Sequence, residues 1–106
     1  MNIAEIIKWT KEHSIEQKTI EGFEGFLLNY ELDNPEEYKS VFGAINKEDL
    51  KYQIHTVSLN LGNWPKYDYN TISASMWVSY KEKQICSYKM LFTFDGNPED
   101  DFFDVV

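Results

Sequence analysis

The stretch TISASMWVSYKEKQICSYKMLFTF, residues 71–94, decides the fold because hydrophobic and polar residues alternate along most of it. Successive side chains of a β-strand point to opposite faces of a sheet, so a period of two predicts strands over 71–80 and 85–95. The polar residues 81–84 between them predict a hairpin turn. One face of the first strand carries Ile72, Ala74, Met76, Val78 and Tyr80, and one face of the second carries Cys86, Tyr88, Met90, Phe92 and Phe94.

The rest of the chain predicts two helices and two further strands. Apolar residues at spacings of three and four over residues 3–15 predict an amphipathic helix. From Thr19 the period changes to two, and a strand is predicted through Phe26, Leu28, Tyr30 and Leu32. Pro35, after a capping Asp or Asn, predicts the start of a short helix that Gly43 ends. Residues 51–61 predict the remaining strand.

These elements predict an α+β fold in which the N-terminal helix packs on a roughly four-stranded antiparallel sheet, with a short connecting helix. The serines of strand 71–80 predict that the second sheet face is half solvated. At 106 residues the chain is expected to form a single domain over 1–106. The sequence leaves open whether residues 97–106 belong to that domain or form a flexible acidic tail.

Charge and composition exclude several functional classes. The formal net charge is −8, which repels phosphates and anionic lipids, so neither a nucleic-acid nor a membrane partner is predicted. All ten cations are lysine, and without arginine the chain lacks the usual bidentate phosphate ligand. The single cysteine, Cys86, cannot form an internal disulfide, and the N-terminal residues do not resemble a signal peptide, so a cytoplasmic location is predicted.

The closing stretch FDGNPEDDFFDVV, residues 94–106, suggests either a cation-binding loop or an acidic surface. Asp95, Asn97 and Glu99 match the first ligand spacings of a calcium loop. Glycine is required at loop position six and glutamate at position twelve, where Asp100 and Val106 stand. A turn followed by an acidic segment is therefore predicted, with no metal site.

No catalytic residue or cofactor is predicted. The two histidines, His13 and His55, are interpreted as a helix-terminal residue and a structural strand residue. Cys86 is expected to be a small buried hydrophobic residue. Sequence-adjacent carboxylates do not by themselves form the apolar pocket that a general acid requires. We therefore expect a protein that is not an enzyme.

The uneven distribution of acids is the feature that points to a function. No cation lies between Lys18 and Lys39 or after Lys89, whereas both segments are rich in carboxylates. Exposed aromatic residues within acidic segments are typical of protein-binding surfaces, although the same rings could fold back into the core. The predicted partner-binding residues are Glu36, Glu37, Trp64, Tyr67, Asp68, Asp100, Asp101, Phe102 and Asp104.

In size, acidity and arginine-free composition the chain resembles, as a class, the small inhibitors with which bacteria and phages neutralise toxic nucleases. The resemblance implies an immunity or antitoxin-type protein whose carboxylates cover the cleft of a basic toxin or nuclease. Simple solubility is an alternative reason for the charge. Two further alternatives are a small-molecule pocket between helix and sheet, lined by Trp9, Trp77, Tyr80 and Tyr88, and a scaffold subunit; the chain is expected to be a monomer or weak homodimer.

Overall fold

The computed structural model describes residues 2–106 and confirms the predicted α+β class. The chain first forms helices and then an antiparallel meander with the strand order β1-β2-β3-β4. Because neighbouring strands are also neighbours in sequence, every connection within the sheet is short. The elements are α1 (Ile3–Glu12), α2 (Ile15–Asp33), α3 (Pro35–Phe42), a 3₁₀ turn (Lys47–Asp49), β1 (Leu50–Gly62), β2 (Tyr69–Tyr80), β3 (Lys83–Phe92) and β4 (Pro98–Val105).

All three helices pack on one face of the sheet, and the core lies between them and that face. Phe23 of α2 makes an edge contact with Tyr88, and Trp9 of α1 makes one with Phe92. We call the opposite face, which carries the serines of β2, the open face. The buried residues on the helix side of β2 and β3 are among those predicted from the alternation: Ile72, Ala74, Met76, Val78, Cys86, Tyr88, Met90 and Phe92. Of the other two predicted residues, Tyr80 is half-buried, and Phe94 is 43% exposed because β3 ends at Phe92.

The segment predicted as the first strand is helical, and that prediction is wrong. Residues 15–33 form α2, in which Ile15, Thr19, Phe23 and Leu27 are buried at a spacing of four. The predicted strand face included Leu28, which is 51% exposed. The alternation of Phe26, Leu28 and Tyr30 satisfies a period of two over a few residues only, whereas the four-residue spacing extends from Ile15 to Leu27.

Gly22 lies on the side of α2 that meets the sheet. A β-carbon at this position would overlap the terminal methyl of Met90 and lie 3.0 Å from the hydroxyl of Tyr88. The absence of a side chain therefore lets α2 lie close to β3.

The predicted N-terminal and connecting helices are confirmed, although Asn34, the residue before Pro35, makes no side-chain capping hydrogen bond. The side chain of Asn2 accepts a hydrogen bond from the backbone of Glu5, which satisfies one free amide at the start of α1. Pro35 occupies the first turn of α3, and Gly43 ends that helix at a φ of 66°. Trp9 fixes α1 to the sheet because its indole N–H donates to the carbonyl of Phe94 over 2.8 Å.

The fourth strand comes from the C-terminal segment that was considered as an acidic tail. Pro98–Val105 pairs with β3 as an edge strand, with Phe103 opposite Tyr88. The turn predicted at Asp95-Gly96 is present, with the Gly96 amide donating to the carbonyl of Thr93. Gly96 has a φ of 81° and lies against the ring of His13, and its carbonyl accepts from Lys18 over 2.7 Å. The turn is thus held against the α1–α2 junction.

Candidate protein-binding surface

Strand β4 divides its predicted binding residues between the two faces of the sheet. Phe103 points to the helices and packs on Phe26 with 4.7 Å between the ring centroids. Because side chains alternate along a strand, Asp101 shares that helix side. The residues Asp100, Phe102 and Asp104 point to the open face.

On the open face, Phe102 and Asp104 border a shallow depression of about 410 Å³. Phe102 is 49% exposed. The ammonium of Lys89 lies 5.0 Å from the centre of the Phe102 ring, close enough for a cation–π contact. An exposed aromatic ring beside a carboxylate is the combination that a protein-binding surface requires, because the ring supplies apolar area and the carboxylate supplies charge complementarity.

The depression also contains His55, the histidine interpreted from the sequence as a structural strand residue. A bulge between Ile54 and Thr56 shifts the register of β1 and leaves His55 exposed. Its ring stacks on Trp77 with 4.5 Å between the centroids. A bulge inserts one residue into the alternation, so His55 points to the open face, whereas an unbroken strand would place it on the same face as Val57. The pair extends the exposed aromatic surface into the middle of the open face.

On the helix side of β4, an acidic groove of about 540 Å³ runs between β4 and α2. It is lined by the carboxylates of Glu21, Asp33 and Asp101. Asp101 accepts a 2.6 Å hydrogen bond from the hydroxyl of Tyr88. Burial raises the pKa of Tyr88, and the bond to Asp101 adds to the shift, so the tyrosine is a neutral donor over the physiological pH range.

Glu36 and Glu37 stand at the start of α3, next to this groove. Tyr30 lines the groove, and its pKa is raised by partial burial and further by the carboxylate of Glu37. Two acids in the first turn also suit the dipole of α3. These acids lie along one edge of the sheet, which we call the acidic edge and define as Glu21, Asp33, Glu36, Glu37, Asp100, Asp101 and Asp104. Other acids of α2 lie away from it, since Glu31 binds Lys47 and Glu16 lines a groove beside β1.

The loop residues Trp64, Tyr67 and Asp68 lie elsewhere, at the far end of the β1–β2 hairpin. Trp64 is 79% exposed and its ring packs against Tyr67, while Asp68 accepts a hydrogen bond from Asn63. Tyr69 follows Asp68 at the start of β2, and its hydroxyl donates a 3.2 Å hydrogen bond to Glu99 at the start of β4. The nine predicted residues thus form two groups, the acidic edge and the hairpin tip, which meet at this end of β4.

The remaining chemically reactive groups have structural surroundings. Cys86 is buried, and burial raises the pKa of its thiol to about 12. Within residues 2–106, no three His, Cys, Asp or Glu side chains are grouped so that they could hold a metal ion. The four residues named for a small-molecule pocket are spread between the core, where Tyr88 lies, and the open face, where Trp77 lies.

Comparison with known proteins adds no assignment. Neither protein-family models, nor curated proteins, nor solved structures match the chain. None of the helices in residues 2–106 has the length and hydrophobicity that crossing a bilayer would need.

Proposed function

We propose that this chain is a non-enzymatic, acidic protein-binding inhibitor of the immunity or antitoxin type, which neutralises a basic toxin or nuclease by covering its active cleft. The observation that supports the proposal is the composition of the acidic edge. Carboxylates flank β4 on both faces of the sheet, and Phe102 is exposed between Asp100 and Asp104. In such a complex the carboxylates take the place of substrate phosphates, and the ring supplies apolar contact.

Charge steering gives the proposal a kinetic signature. A basic partner is attracted to a surface of concentrated negative potential, which raises the association rate at low salt. At about 0.1 M salt the screening length is about 10 Å, so the long-range part of this attraction falls steeply with added salt. We place the inhibitor in the reducing cytoplasm of a bacterium, because its one thiol, Cys86, is unpaired and buried.

Reversing the charge of the β4 acids tests whether they bind a basic partner or only keep the edge of the sheet from pairing with another chain. Lysine and aspartate both prevent a free edge from pairing with another chain. The variant Asp100→Lys with Asp104→Lys therefore keeps the edge protected while it repels a basic partner. The matched control, Glu48→Lys with Glu82→Lys, reverses two charges beside the start of β1, at the other edge of the sheet.

The experiment measures inhibition of a panel of purified basic nuclease-toxin domains at 50 and 500 mM NaCl. We expect stoichiometric inhibition of a cognate nuclease, an association rate about tenfold or more lower at the higher salt, and loss of inhibition in the β4 variant alone. Circular dichroism of both variants establishes that they fold. Equal inhibition by the β4 variant and the control would contradict the proposal.

A further inference from the structure

The two edges of the sheet differ in their protection. Strand β4 carries Pro98 and several acids along its edge. The other edge strand, β1, contains no acid and no proline, and its one lysine, Lys51, lies in the half that precedes the His55 bulge. Residues 56–62 therefore present a free edge without charge, proline or bulge. Free edges of this kind are prone to pair with another strand.

Beyond the bulge, the helix side of β1 carries Val57, Leu59 and Leu61. Leu59 is 36% exposed and Leu61 is 56% exposed. These two leucines lie on the same side as the core but are only partly covered, so their apolar surface is available for contact.

Next to these side chains, an apolar groove of about 520 Å³ separates β1 from the α1–α2 junction. Ile15, Ile54 and Val57 supply its apolar lining, and the rest of the lining is polar or charged and comes from the helices: Thr10, Lys11, Ser14, Glu16 and Gln17. An exposed leucine from another molecule could fill this groove, because an apolar side chain that enters an apolar groove is removed from water.

We propose that two copies of this chain form a two-fold symmetric dimer by antiparallel pairing of β1 with β1, centred on Leu59. In this register Leu59 faces Leu59 of the second copy, and Val57 faces Leu61 of the second copy. Because Val57 lines the apolar groove, each Leu61 reaches the groove of the other molecule. On the open face, Ser58 faces Asn60 of the second copy.

The sequence of the edge favours a second copy over a different protein. Residues 57–61 read Val-Ser-Leu-Asn-Leu, which places apolar against apolar and polar against polar when the strand is paired with itself about Leu59. Residues 50–62 contain no carboxylate, and the one acid that lines the groove, Glu16, shares that lining with Lys11, so two molecules of net charge −8 meet where neither concentrates negative charge.

Electrostatics gives this dimer a salt dependence opposite to that of the proposed inhibitor complex. Two molecules of like net charge repel each other, and added salt screens that repulsion. Dimerisation should therefore strengthen with salt, whereas binding of a basic partner should weaken. The paired segment is about 23 Å long at about 3.3 Å per residue, which places the interface at the small end of the size range, with a dissociation constant on the order of 10 µM.

Analytical ultracentrifugation of the full chain from 2 to 400 µM, at 50 and 500 mM NaCl, tests the proposal. We expect a monomer–dimer equilibrium that tightens at the higher salt. Leu61→Lys should raise the dissociation constant at least tenfold, while the matched control Leu28→Lys, at an equally exposed position of α2, should leave it within twofold. A chain that stays monomeric throughout, or a dimer that Leu61→Lys leaves intact, would overturn the proposal.

Cross-linking tests the register independently of any destabilising change. Leu59→Cys places two thiols opposite each other across the symmetry axis, at the separation of directly opposed strand residues, which permits a disulfide. With oxidised glutathione as the oxidant, it should cross-link at least tenfold faster than Leu28→Cys, while Cys86 stays buried. Equal rates for the two variants would refute pairing about Leu59. Both assays use the chain alone, so their outcome does not depend on the proposed inhibitor function.

Discussion

Two adjacent leucines on α2 give a direct test of how residues 15–33 fold. Leu27 is 1% exposed and Leu28 is 51% exposed. A strand through Phe26, Leu28 and Tyr30 would place Leu28 on the core face and Leu27 on the other. The helix reverses this assignment, so Leu27→Ala and Leu28→Ala form a matched pair in which the same atoms are removed from neighbouring positions.

The expected difference follows from burial. Removing a fully buried leucine side chain loses its transfer free energy and leaves a cavity, which lowers the free energy of unfolding by about 2–5 kcal/mol. At the half-exposed Leu28 the lost burial is about 1 kcal/mol, and alanine's higher helix propensity offsets part of it. For a domain of about 100 residues, 1 kcal/mol corresponds to roughly 4–8 °C in Tm, so Leu27→Ala should lower Tm by at least about 10 °C.

Thermal and urea unfolding followed by circular dichroism measure both variants against the parent chain. We expect Leu28→Ala to melt within about 5 °C of the parent, in keeping with its small change in burial. A larger loss of stability for Leu28→Ala than for Leu27→Ala would refute the helical packing of α2 and, with it, the placement of the acidic groove. Similar losses for both would show that α2 is not amphipathic in solution.

Three further outcomes follow from single contacts. Gly25→Ala should stabilise the protein by about 0.5–1 kcal/mol, because no atom lies within 4 Å of the new methyl group. Gly22→Ala should not give this gain, because its methyl group would overlap Met90. Urea unfolding measures the free energy of unfolding of both variants. Tyr88→Phe should lower the free energy of unfolding by about 1–2 kcal/mol through loss of the bond to Asp101, while Tyr69→Phe, which removes an exposed 3.2 Å bond to Glu99, should change it by less than about 0.5 kcal/mol. Burial raises the pKa of Cys86 to about 12, so its thiolate is disfavoured in the folded state. Ellman's reagent at pH 8 should therefore modify the native thiol far more slowly than the unfolded one. The free energy of unfolding should also fall as the pH rises above about 9, because only the unfolded thiol then loses its proton.

The parts of the fold that the sequence predicted are those where one pattern persists over many residues. The alternation over 71–94 continues for two strands, and both strands are present, with the expected face of the second buried as far as Phe92. The helix of 15–33 was missed because Phe26, Leu28 and Tyr30 match a strand locally. Every fourth residue from Ile15 to Leu27 is buried, so the helical period is recognisable only when the whole of this segment is considered.

The candidate surface was predicted in part, because spatial grouping depends on topology. Acid-rich segments of α2, α3 and β4 could be identified along the chain, but only the packing of α2 beside β4 brings Glu21 and Asp101 into one groove. His55 could not be placed by parity, since nothing in its neighbours marks a bulge. The hairpin tip was grouped with the acids by composition alone, and in the structure it meets them only at the start of β4, where Tyr69 bonds to Glu99.

Protection and recognition are different reasons for charge on a sheet edge, and this chain allows them to be separated. If the acids served only to keep sheet edges from pairing with other chains, both edges of the sheet would need charged residues or proline. Residues 56–62 of β1 contain neither. A self-pairing β1 edge is protected by its partner and needs no charge. The β4 edge would then remain the free edge of the assembly, where lysine could protect equally well. The use of aspartate at Asp100, Asp101 and Asp104 therefore favours selection for a basic partner over simple protection, and charge reversal at β4 distinguishes the two because it changes the sign of the edge without exposing it.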